Sequence, residues 1–470
     1  MSRKKTAVVG GGITGLSTAY FLSEAVKEGR LDRDVTVYEA SDRIGGSIAT
    51  EYTDGFVVER GPDSFLTRKM SMYTLAEALG MKEELVTNRS GAYIYHQKQM
   101  HPIPQGAIMG IPTQWSPFLK TKLFRPAGKV RAAMDLILPR GSAEEDESVG
   151  SFFRRRLGSE VVDNMIDPLL SGVYAGSLDK LSLGATFPQF VEVEKKHRSL
   201  ILGMKKSRKK EAAAPVYIGP DQRQANMFLT FRRGLSSFVE QLAAALPEGT
   251  VETGRRMTGL QHADGRYQLH FSDGTMEEAD EVLLTTRHHQ AAELFDDGLL
   301  ETLASAPSTT VATVALGYEA RDVELGLDGT GFLVPKQEGY DITACTWTHQ
   351  KWEHTAPPGK ALLRAYVGRP DQEGIVEKTD EEIASVVRQD LKEIMGIDAA
   401  PLFVHVTRWR QGMPQYEVNH LKRLGEVRQK LAASYPGVHL LGASYNGIGL
   451  PDCVSQAEKA VLQIIEQAES

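Results

Sequence analysis

Cysteine is scarce in this chain, and its scarcity excludes the structures that depend on it. The 470 residues include only two cysteines, Cys345 and Cys453, far apart and without metal-ligand spacing. We therefore expect no disulfide framework and no metal site, and the composition favours a reducing, cytoplasmic setting. No apolar run reaches the length of a transmembrane helix, and MSRKK runs directly into the first predicted strand, so no signal peptide is expected.

A surplus of positive charge is also lacking. The formal net charge is −7, which argues against a general nucleic-acid binder. What the chain does have is 41% hydrophobic residues and 44 glycines, a globular composition. At 470 residues it is too long for one hydrophobic core, which predicts two or three domains.

The first group of glycines has the order of a nucleotide-binding turn. The apolar run Thr6 to Val9 predicts a strand, Gly10-x-Gly12-x-x-Gly15 follows, and helix-favouring residues continue to Glu24. The first glycine allows a tight turn, the second lets the backbone approach a pyrophosphate, and the third lets helix and strand pack closely. Phosphates would then lie on the free N–H groups of the helix N-terminus.

The second predicted strand ends in an acid. Val35 to Tyr38 precede Glu39, which lies 24 residues after Gly15, close to the spacing at which a carboxylate accepts hydrogen bonds from ribose hydroxyls. Next comes the segment Ser41 to Gly46, a turn that would bring its backbone and Arg43 against the pyrophosphate. A plain loop is the alternative, since Gly-Gly pairs are common in turns.

A second glycine-rich segment, GASYNGIGLPDC, runs from Gly442 to Cys453 at the other end of the chain. A nicotinamide dehydrogenase completes its nucleotide site within one early domain, whereas glycine turns at both ends are typical of a flavoprotein whose two ends fold onto one FAD. The last helix is predicted to begin near Pro451, where its N-terminus would stabilise negative charge on reduced flavin. Cys453 raises the alternative of a thioether link, but a free buried cysteine and non-covalent FAD are favoured.

Further segments resemble known flavoproteins. Arg43 to Gly46 together with DGFVVERGPDSF, Asp54 to Phe65, resemble the amine-oxidase and porphyrinogen-oxidase superfamily, although Ser47 replaces the basic residue that usually follows the glycine pair. Nearly the whole chain resembles the porphyrinogen oxidases of haem biosynthesis, and it is most similar to the Gram-positive enzymes that act on coproporphyrinogen III. The segments that carry this resemblance are LSGVYAG (170–176), FPQF (187–190), KKHRSLILGMKK (195–206), MPQYEVNH (413–420) and the C-terminal glycine segment.

The resemblance implies an α/β fold, α+β overall, with a Rossmann-like FAD-binding domain, a sheet-containing substrate-binding domain and a helical insert. The expected FAD-binding domain comprises residues 1–60, 228–296 and 425–470, the substrate-binding domain residues 61–103, 208–227 and 297–424, and the insert residues 104–207. Local patterns agree with this division. Apolar residues at helical spacing run from 151 to 176, strands are predicted at 310–318 and 360–368, and Asp273-Gly274 predicts a hairpin between 267–271 and 281–285.

For the cofactor, the resemblance implies non-covalent FAD. No catalytic acid–base pair is predicted, because flavin N5 accepts the hydride and the pyrrole nitrogens of a porphyrinogen push it out. Dioxygen would reoxidise the flavin and yield hydrogen peroxide. The expected FAD contacts are Gly10, Gly12, Ile13, Thr14, Gly15, Glu39, Ala40, Arg43, Gly45, Gly46, Ser47, Gly61, Pro62, Asp63, Ser64, Val251, Trp409, Gly442, Ala443, Ile448, Gly449 and Leu450.

Substrate binding requires local positive charge, because coproporphyrinogen carries four propionates and the chain is net negative. Ala92 stands where the eukaryotic enzymes carry an arginine for one substrate carboxylate, which weakens a protoporphyrinogen interpretation. The cations considered are Arg68, Lys69, Lys195, Lys196, Arg198, Arg364 and Arg408. The predicted substrate set is Lys69, Val173, Tyr174, Ala175, Gly176 and Arg198, while His197 and Tyr416 are either cavity or core residues.

Three other functions stay open: oxidation of protoporphyrinogen IX, flavin-dependent amine oxidation on the same fold, and flavin binding without catalysis. The basic run KKSRKKEAAAP, residues 205–215, is either a patch for anionic lipid or a haem-pathway partner, or a solvated loop, and the loop is favoured. The insert shows no obvious exposed apolar stripe. We therefore expect weak peripheral membrane contact at most.

Overall fold

The computed structural model describes residues 3–141, 145–211, 227–323, 326–370 and 372–469. The strands are β1 (Lys4–Val9), β2 (Arg33–Tyr38), β3 (Thr50–Thr53), β4 (Phe56–Glu59), β5 (Phe65–Leu66), β6 (Leu85–Thr87), β7 (Tyr93–His96), β8 (Gln99–Pro102), β9 (Ala107–Ile108), β10 (Ile111–Pro112), β11 (Phe228–Phe231), β12 (Val251–Glu252), β13 (Met257–Ala263), β14 (Arg266–Phe271), β15 (Met276–Ala279), β16 (Glu281–Leu284), β17 (Ser308–Glu319), β18 (Gly331–Leu333), β19 (Ile342–Trp347), β20 (Lys360–Val367), β21 (Phe403–Pro414) and β22 (Val438–Leu440).

The helices are α1 (Ile13–Lys27), α2 (Ser71–Ala78), α3 (Trp115–Lys120), α4 (Pro126–Ala133), α5 (Val149–Leu157), α6 (Ser159–Val161), α7 (Asp167–Tyr174), α8 (Leu183–Thr186), α9 (Pro188–His197), α10 (Leu200–Glu211), α11 (Leu235–Ala244), α12 (His288–Ala292), α13 (Glu301–Ala304), α14 (Thr348–Lys351), α15 (Asp380–Met395), α16 (His420–Ser434) and α17 (Leu450–Glu469). Short 3-10 turns lie at Lys82–Glu84, Met134–Leu136, Ala320–Asp322, Lys336–Glu338, Glu353–Thr355 and Glu373–Glu377, and a π-helical turn spans Val162–Ile166.

A five-stranded parallel sheet, in the order β12-β2-β1-β16-β22, joins the two ends of the chain. The central strands β1 and β16 end in continuous buried runs, as expected where both faces of a parallel sheet are covered. On one face α1, α11 and α17 share a core with Val8, Val37 and Leu283. On the other face Ala7 and Val282 pack against the small sheet β13-β14-β15. This arrangement confirms the predicted Rossmann-like fold.

The predicted hairpin is correct at its turn and wrong in its second strand. The turn at Asp273-Gly274 joins β14 to β15, with Tyr267 opposite Ala279. The segment expected to be the second arm is β16, which instead lies between β1 and β22 in the parallel sheet. The reason is that β16 is apolar on both faces, a pattern that suits a central parallel strand better than a hairpin arm.

The larger sheet has seven strands in the order β21-β17-β20-β19-β18-β7-β8. The two segments predicted as strands here are β17 and β20, which pair antiparallel with Ala315 opposite Arg364. One face of this sheet packs against α15 through residues such as Leu363 and Val387. The opposite face carries Arg364 and Trp409, whose side chains reach the backbone of residues 60 and 61 near the first glycine segments.

The middle of the chain forms the predicted helical region. Helix α5 ends at Gly158, whose φ is 86°, and α6, the π-helical turn and α7 continue the chain to Tyr174. The apolar residues predicted as core all lie at 0% exposure: Phe152, Phe153, Leu157, Val161, Val162, Met165 and Ile166. The last helix likewise begins within one residue of Pro451 and buries its predicted face, Val454, Ala457, Val461, Ile464 and Ile465.

Two expectations for this region are wrong. The insert does expose an apolar stripe. Its side chains are Leu119 (57% exposed), Val130 (67%), Met134 (40%) and Ile137 (70%). The spacing of these residues in the sequence does not indicate one helical face, because α4 passes into a 3-10 turn at Met134. The basic run predicted as a loop continues α10 as far as Glu211, and residues 212–215 lie outside the described residues. Among the described helices, none is long and apolar enough to cross a bilayer.

Candidate functional site

The first glycine turn has the geometry that its spacing predicts. Gly10 has a φ of 111°, and a Cβ atom on Gly15 would lie 1.9 Å from the Gly10 carbonyl oxygen, so strand and helix approach too closely for any side chain there. Around Gly12, by contrast, the nearest described atom to such a Cβ is Gly46 Cα at 3.9 Å. Gly12 precedes α1 with no side-chain cap, so the N–H groups of Ile13 and Thr14 begin a helix that suits a phosphate.

Glu39 lies at the carboxyl end of β2, next to that turn. Its Oε2 accepts a hydrogen bond from the Gly11 N–H at 2.7 Å, and its Oε1 accepts one from the Ser41 N–H at 2.8 Å. On the side of β2 away from β1, Val251 in the edge strand β12 pairs with Val37. The Ser41 hydroxyl also donates to Oε1 at 2.7 Å, so the carboxylate is held by three donors, and a lone pair of Oε2 is left for a ribose hydroxyl.

The second glycine pair lies directly against the first turn. The Gly45 N–H donates to the Gly11 carbonyl at 2.8 Å. Arg43 shapes this loop, because its guanidinium donates to the carbonyls of Gly46 at 2.6 Å and Ile48 at 3.0 Å. The backbone of this loop therefore meets the first glycine turn at Gly45, while the Arg43 guanidinium is bound to carbonyls of its own loop.

The segment Gly61 to Ser64 follows the same path. A Cβ on Gly61 would lie 1.9 Å from the Ser47 carbonyl oxygen and 3.2 Å from the Trp409 ring, so Gly61, Ser47 and Trp409 meet at one point. The Trp409 indole N–H donates to the Arg60 carbonyl at 3.1 Å. Pro62 continues the chain to Asp63.

Behind this segment is a buried charge cluster. Asp63 accepts hydrogen bonds from Lys351 Nζ at 2.8 Å and from the Ser64 hydroxyl at 2.6 Å. Burial alone would raise the pKa of the Asp63 carboxyl, but the Lys351 and Arg364 charges lower it well below its usual range. Arg364 also donates to the Gly61 carbonyl. Arg364 is therefore a buried support for this segment, because the alternation of β20 points it beneath Gly61, and this candidate cation is already occupied.

The C-terminal glycine segment meets the N-terminal one. The Gly442 N–H donates to Gln456 Oε1 at 3.1 Å, and Thr14 Oγ1 lies 3.3 Å from where a Gly442 side chain would begin. Tyr416, at 1% exposure, accepts from the Gly447 N–H at 2.9 Å and donates to the Ala443 carbonyl. Tyr416 is thus a core residue that holds the C-terminal glycine segment through these two hydrogen bonds. The segment continues through Ile448 and Gly449 to Leu450, the first residue of α17.

Cys453 lies in the first turn of α17. Its side chain is buried, and burial raises the pKa of the thiol to about 11. A protonated thiol is a poor nucleophile, which favours the interpretation of Cys453 as a small apolar residue.

Lys69 belongs to this site, but its charge is already paired. Its Nζ lies 2.6 Å from both carboxylate oxygens of Asp452, a residue of the first turn of α17 that sequence reasoning missed. The one signal that could have found it is an acid directly after the helix-starting Pro451. Tyr174 lies close by, because its ring meets that of Tyr416 at 6.4 Å and the Asp452 charge adds to burial in raising its pKa.

The turn from Val173 to Gly176 is anchored to the segment that carries Tyr416. Gln415 donates from Nε2 to the Tyr174 carbonyl at 2.8 Å, and Ala175 ends α7 in the left-handed conformation. Val173, in the last turn of α7, is 50% exposed. The structure therefore joins Tyr174, Ala175, Gly176 and Lys69 with the C-terminal glycine segment.

The remaining cations lie elsewhere. Arg198 is exposed at the end of α9 and donates to the Leu136 carbonyl at 2.8 Å. Arg408 pairs with Asp380 and donates to the Val376 carbonyl, so this candidate cation is occupied in holding α15 to β21. The exposed side chains of Arg68, Lys195 and Lys196 have no described ion pair.

Comparisons with known proteins agree with this geometry. Residues 13–465 match the family described as flavin containing amine oxidoreductase. The chain is 46% identical to the coproporphyrinogen III oxidase of Bacillus subtilis (strain 168) over 98% of this chain and 97% of that one. It is 31% identical to the chloroplastic protoporphyrinogen oxidase 1 of Spinacia oleracea over 98% of this chain and 84% of that one. A crystal structure from Exiguobacterium sp. 255-15 superposes with a TM-score of 0.87 and 39% identity, covering 99% of this chain and 100% of that one.

Proposed function

We propose that this chain, which belongs to the family of flavin containing amine oxidoreductases, oxidises coproporphyrinogen III to coproporphyrin III with bound FAD and dioxygen. The observation that carries the proposal is its full-length relation to the Bacillus subtilis coproporphyrinogen III oxidase. The geometry supports a flavin in particular, because glycine turns from both chain ends converge where one extended dinucleotide would lie.

The residues present fit FAD. The space beside Gly12 would admit the pyrophosphate, the α1 N-terminus would bind it, and Glu39 would accept hydrogen bonds from the ribose. The segments at Gly61 and Gly449 would hold the flavin end, and the burial of Cys453 supports non-covalent binding. When bound, the flavin supplies the chemistry by accepting a hydride and passing its electrons to dioxygen, which becomes hydrogen peroxide.

The chain's own residues bind and orient the substrate. In this proposal Val173 and Tyr174 contact the substrate beside the C-terminal glycine segment, and Lys69 would exchange its Asp452 partner for a substrate carboxylate. No side chain is needed as a base, because the pyrrole N–H protons can leave to solvent. The division into FAD-binding, substrate-binding and helical regions given above from sequence is retained as part of the proposal.

Oxidation of protoporphyrinogen IX is the second candidate, since the spinach relative is named for it. The two substrates differ in charge, because coproporphyrinogen has four carboxylates.

The expected result with holoenzyme is oxidation of coproporphyrinogen III with three molecules of hydrogen peroxide per coproporphyrin III, as removal of six electrons requires. Porphyrin fluorescence and a peroxide assay measure this ratio. Porphyrin formation without flavin-dependent peroxide would contradict the proposal.

We also propose weak peripheral contact with anionic membranes through the exposed stripe of Leu119, Val130, Met134 and Ile137, hereafter the α3–α4 stripe. An open groove of about 790 Å³ beside it is lined by the cations Lys120, Lys122, Arg125 and Lys129 and by the acids Glu160 and Asp163. Exposed apolar side chains flanked by cations suit the boundary between headgroups and acyl chains.

A further inference from the structure

Arg287 is a cation at the nucleotide-binding edge of the parallel sheet, and the expected FAD contacts do not include it. It follows β16 by three residues and comes directly before α12. In the sheet order β12-β2-β1-β16-β22, the chain passes from β1 to β2 on one side, whereas β16 lies on the other side of β1. The crevice between β1 and β16 is therefore the switch point of this sheet, where α/β folds bind nucleotides.

The two residues before Arg287 contact both glycine segments. A Cβ on Gly10 would lie 2.7 Å from Thr285 Oγ1, and a Cβ on Gly442 would lie 3.5 Å from the Thr285 carbonyl oxygen. The methyl group of Thr286 lies 3.5 Å from the same Gly10 position, and its hydroxyl is buried without a hydrogen-bond partner among the described residues. The loop after β16 is thus a wall of the dinucleotide site, with a polar atom left for a ligand.

The Arg287 side chain reaches from this wall to β21. Its Nη1 donates a hydrogen bond to the Arg410 carbonyl at 2.7 Å. Arg410 directly follows Trp409, whose ring meets Ser47 and Gly61. The side chain therefore spans the distance between the first glycine turn and the strand that contacts the loop after the second glycine pair.

The Arg287 charge has no counter-ion among the described residues. The side chain is half-buried, and burial lowers the pKa of the guanidinium. Its Nε and Nη2 donate to no described acceptor, so the side-on pair of N–H groups is free, and such a pair fits two oxygens of one phosphate. An arginine that is partly desolvated without an opposite charge is costly, which indicates an anionic ligand.

The dinucleotide site otherwise lacks a free cation. Arg43 is the one basic residue among the expected FAD contacts, and its guanidinium donates to the carbonyls of Gly46 and Ile48. Ser47, directly after the glycine pair, carries no charge. The pyrophosphate of FAD carries two negative charges, whereas the N-terminus of α1 supplies only a partial positive charge.

We infer that Arg287 binds the pyrophosphate of FAD, with Nε and Nη2 as the donors. The inference rests on the proposed function, and it adds the cation that the expected FAD contacts lack. The N-terminus of α1 would hold the pyrophosphate from the β1 side of the crevice, and Arg287 would hold it from the β16 side.

Equilibrium binding of FAD to the full-length apoprotein tests the inference without turnover. Arg287→Gln should weaken FAD binding about tenfold or more, because a charge-assisted pair is lost. Riboflavin lacks the pyrophosphate and should bind this variant and the parent equally. The matched control is Arg410→Gln, which removes an exposed arginine paired with Glu377, keeps the carbonyl that Arg287 contacts and should bind FAD like the parent. FAD binding by Arg287→Gln within twofold of the parent, or an equal loss for riboflavin, would overturn the inference.

Ser47→Arg gives a second test, which holds even if Arg287→Gln fails to fold. It places a guanidinium on the loop that meets Trp409. In the parent it should raise FAD affinity by less than about threefold, because Arg287 already pairs with the pyrophosphate, and in Arg287→Gln it should restore most of the lost affinity. A larger gain in the parent, or no gain in Arg287→Gln, would overturn the inference. Failure of the proposed function is distinguishable, because the parent itself would then not bind FAD or not oxidise coproporphyrinogen III.

Discussion

At the scale of single residues, Glu59 shows how burial competes with good hydrogen bonds. Its Oε1 accepts from the Leu235 N–H at 2.6 Å at the start of α11, and its Oε2 accepts from the Thr50 hydroxyl at 2.9 Å. Both bonds and the helix dipole favour the charged form. Burial nevertheless dominates and raises the pKa of the carboxyl from 4.5 to about 7.

This shift makes stability depend on pH. The folded protein holds the Glu59 proton more tightly than the unfolded chain, so this contribution to stability is complete below pH 4.5 and is lost as the pH rises to about 7. The loss is about 3 kcal/mol at 1.36 kcal/mol per pKa unit. Glu59→Gln should therefore become more stable relative to the parent between pH 5 and pH 8, as measured by urea unfolding of the holoprotein.

The exposed Glu248→Gln is the control for that series, because its carboxyl is solvated in both states. Its stability relative to the parent should be the same at both pH values. If the difference in unfolding free energy between Glu59→Gln and the parent is also independent of pH, the buried Glu59 carboxyl does not have the raised pKa.

The cations show what residue-level reasoning from sequence cannot decide. Charge and position suggested Lys69 first and Arg364 and Arg408 as further candidates, yet each has a partner contributed by a distant segment: Asp452, Gly61 and Asp380. Whether a cation is available depends on these long-range contacts.

At the scale of elements, patterns with a local cause were predicted correctly. The glycine spacing before α1 and Pro451 in the first turn of α17 act through backbone geometry within one turn, and both helices form as expected. The pairing of β16 and the exposure of the α3–α4 stripe depend instead on neighbouring elements, and there the predictions were wrong. Local chemistry determines where an element begins, and tertiary packing determines what it contacts.

The α3–α4 stripe makes a prediction at this scale. The protein should co-sediment weakly with phosphatidylglycerol vesicles, less with phosphatidylcholine, and less at high salt because the flanking cations are exposed. Replacing two apolar side chains in Val130→Ser/Ile137→Ser should reduce binding at least tenfold, since one fully buried side chain of this size contributes roughly 1.5–3 kcal/mol and about 1.4 kcal/mol corresponds to a tenfold change.

The matched control is Met276→Ser, which removes an exposed apolar side chain from β15. It should bind vesicles like the parent protein. Equal binding by the stripe variant and the parent would exclude the stripe as the contact surface.

At the scale of the whole molecule, both chain ends build one site. Strands β1 and β22 flank β16 in one sheet, α1 and α17 share a core, and the glycine segments meet at Thr14 and Gly442. Helix α7 passes over the end of β18, where the Leu333 side chain lies 4.0 Å from the position of a Cβ on Gly172. Order along the chain predicted this convergence, whereas the identity of the groups that face the cleft required the folded structure.

The central claim is that this site oxidises a four-carboxylate porphyrinogen by reducing bound flavin. Its most direct test is anaerobic rapid mixing of the holoenzyme with coproporphyrinogen III or protoporphyrinogen IX, following flavin absorbance and porphyrin fluorescence in a single turnover. We predict that coproporphyrinogen III bleaches the flavin faster and that porphyrin fluorescence follows flavin reduction. Faster bleaching by protoporphyrinogen IX, or bleaching by neither compound, would contradict the account.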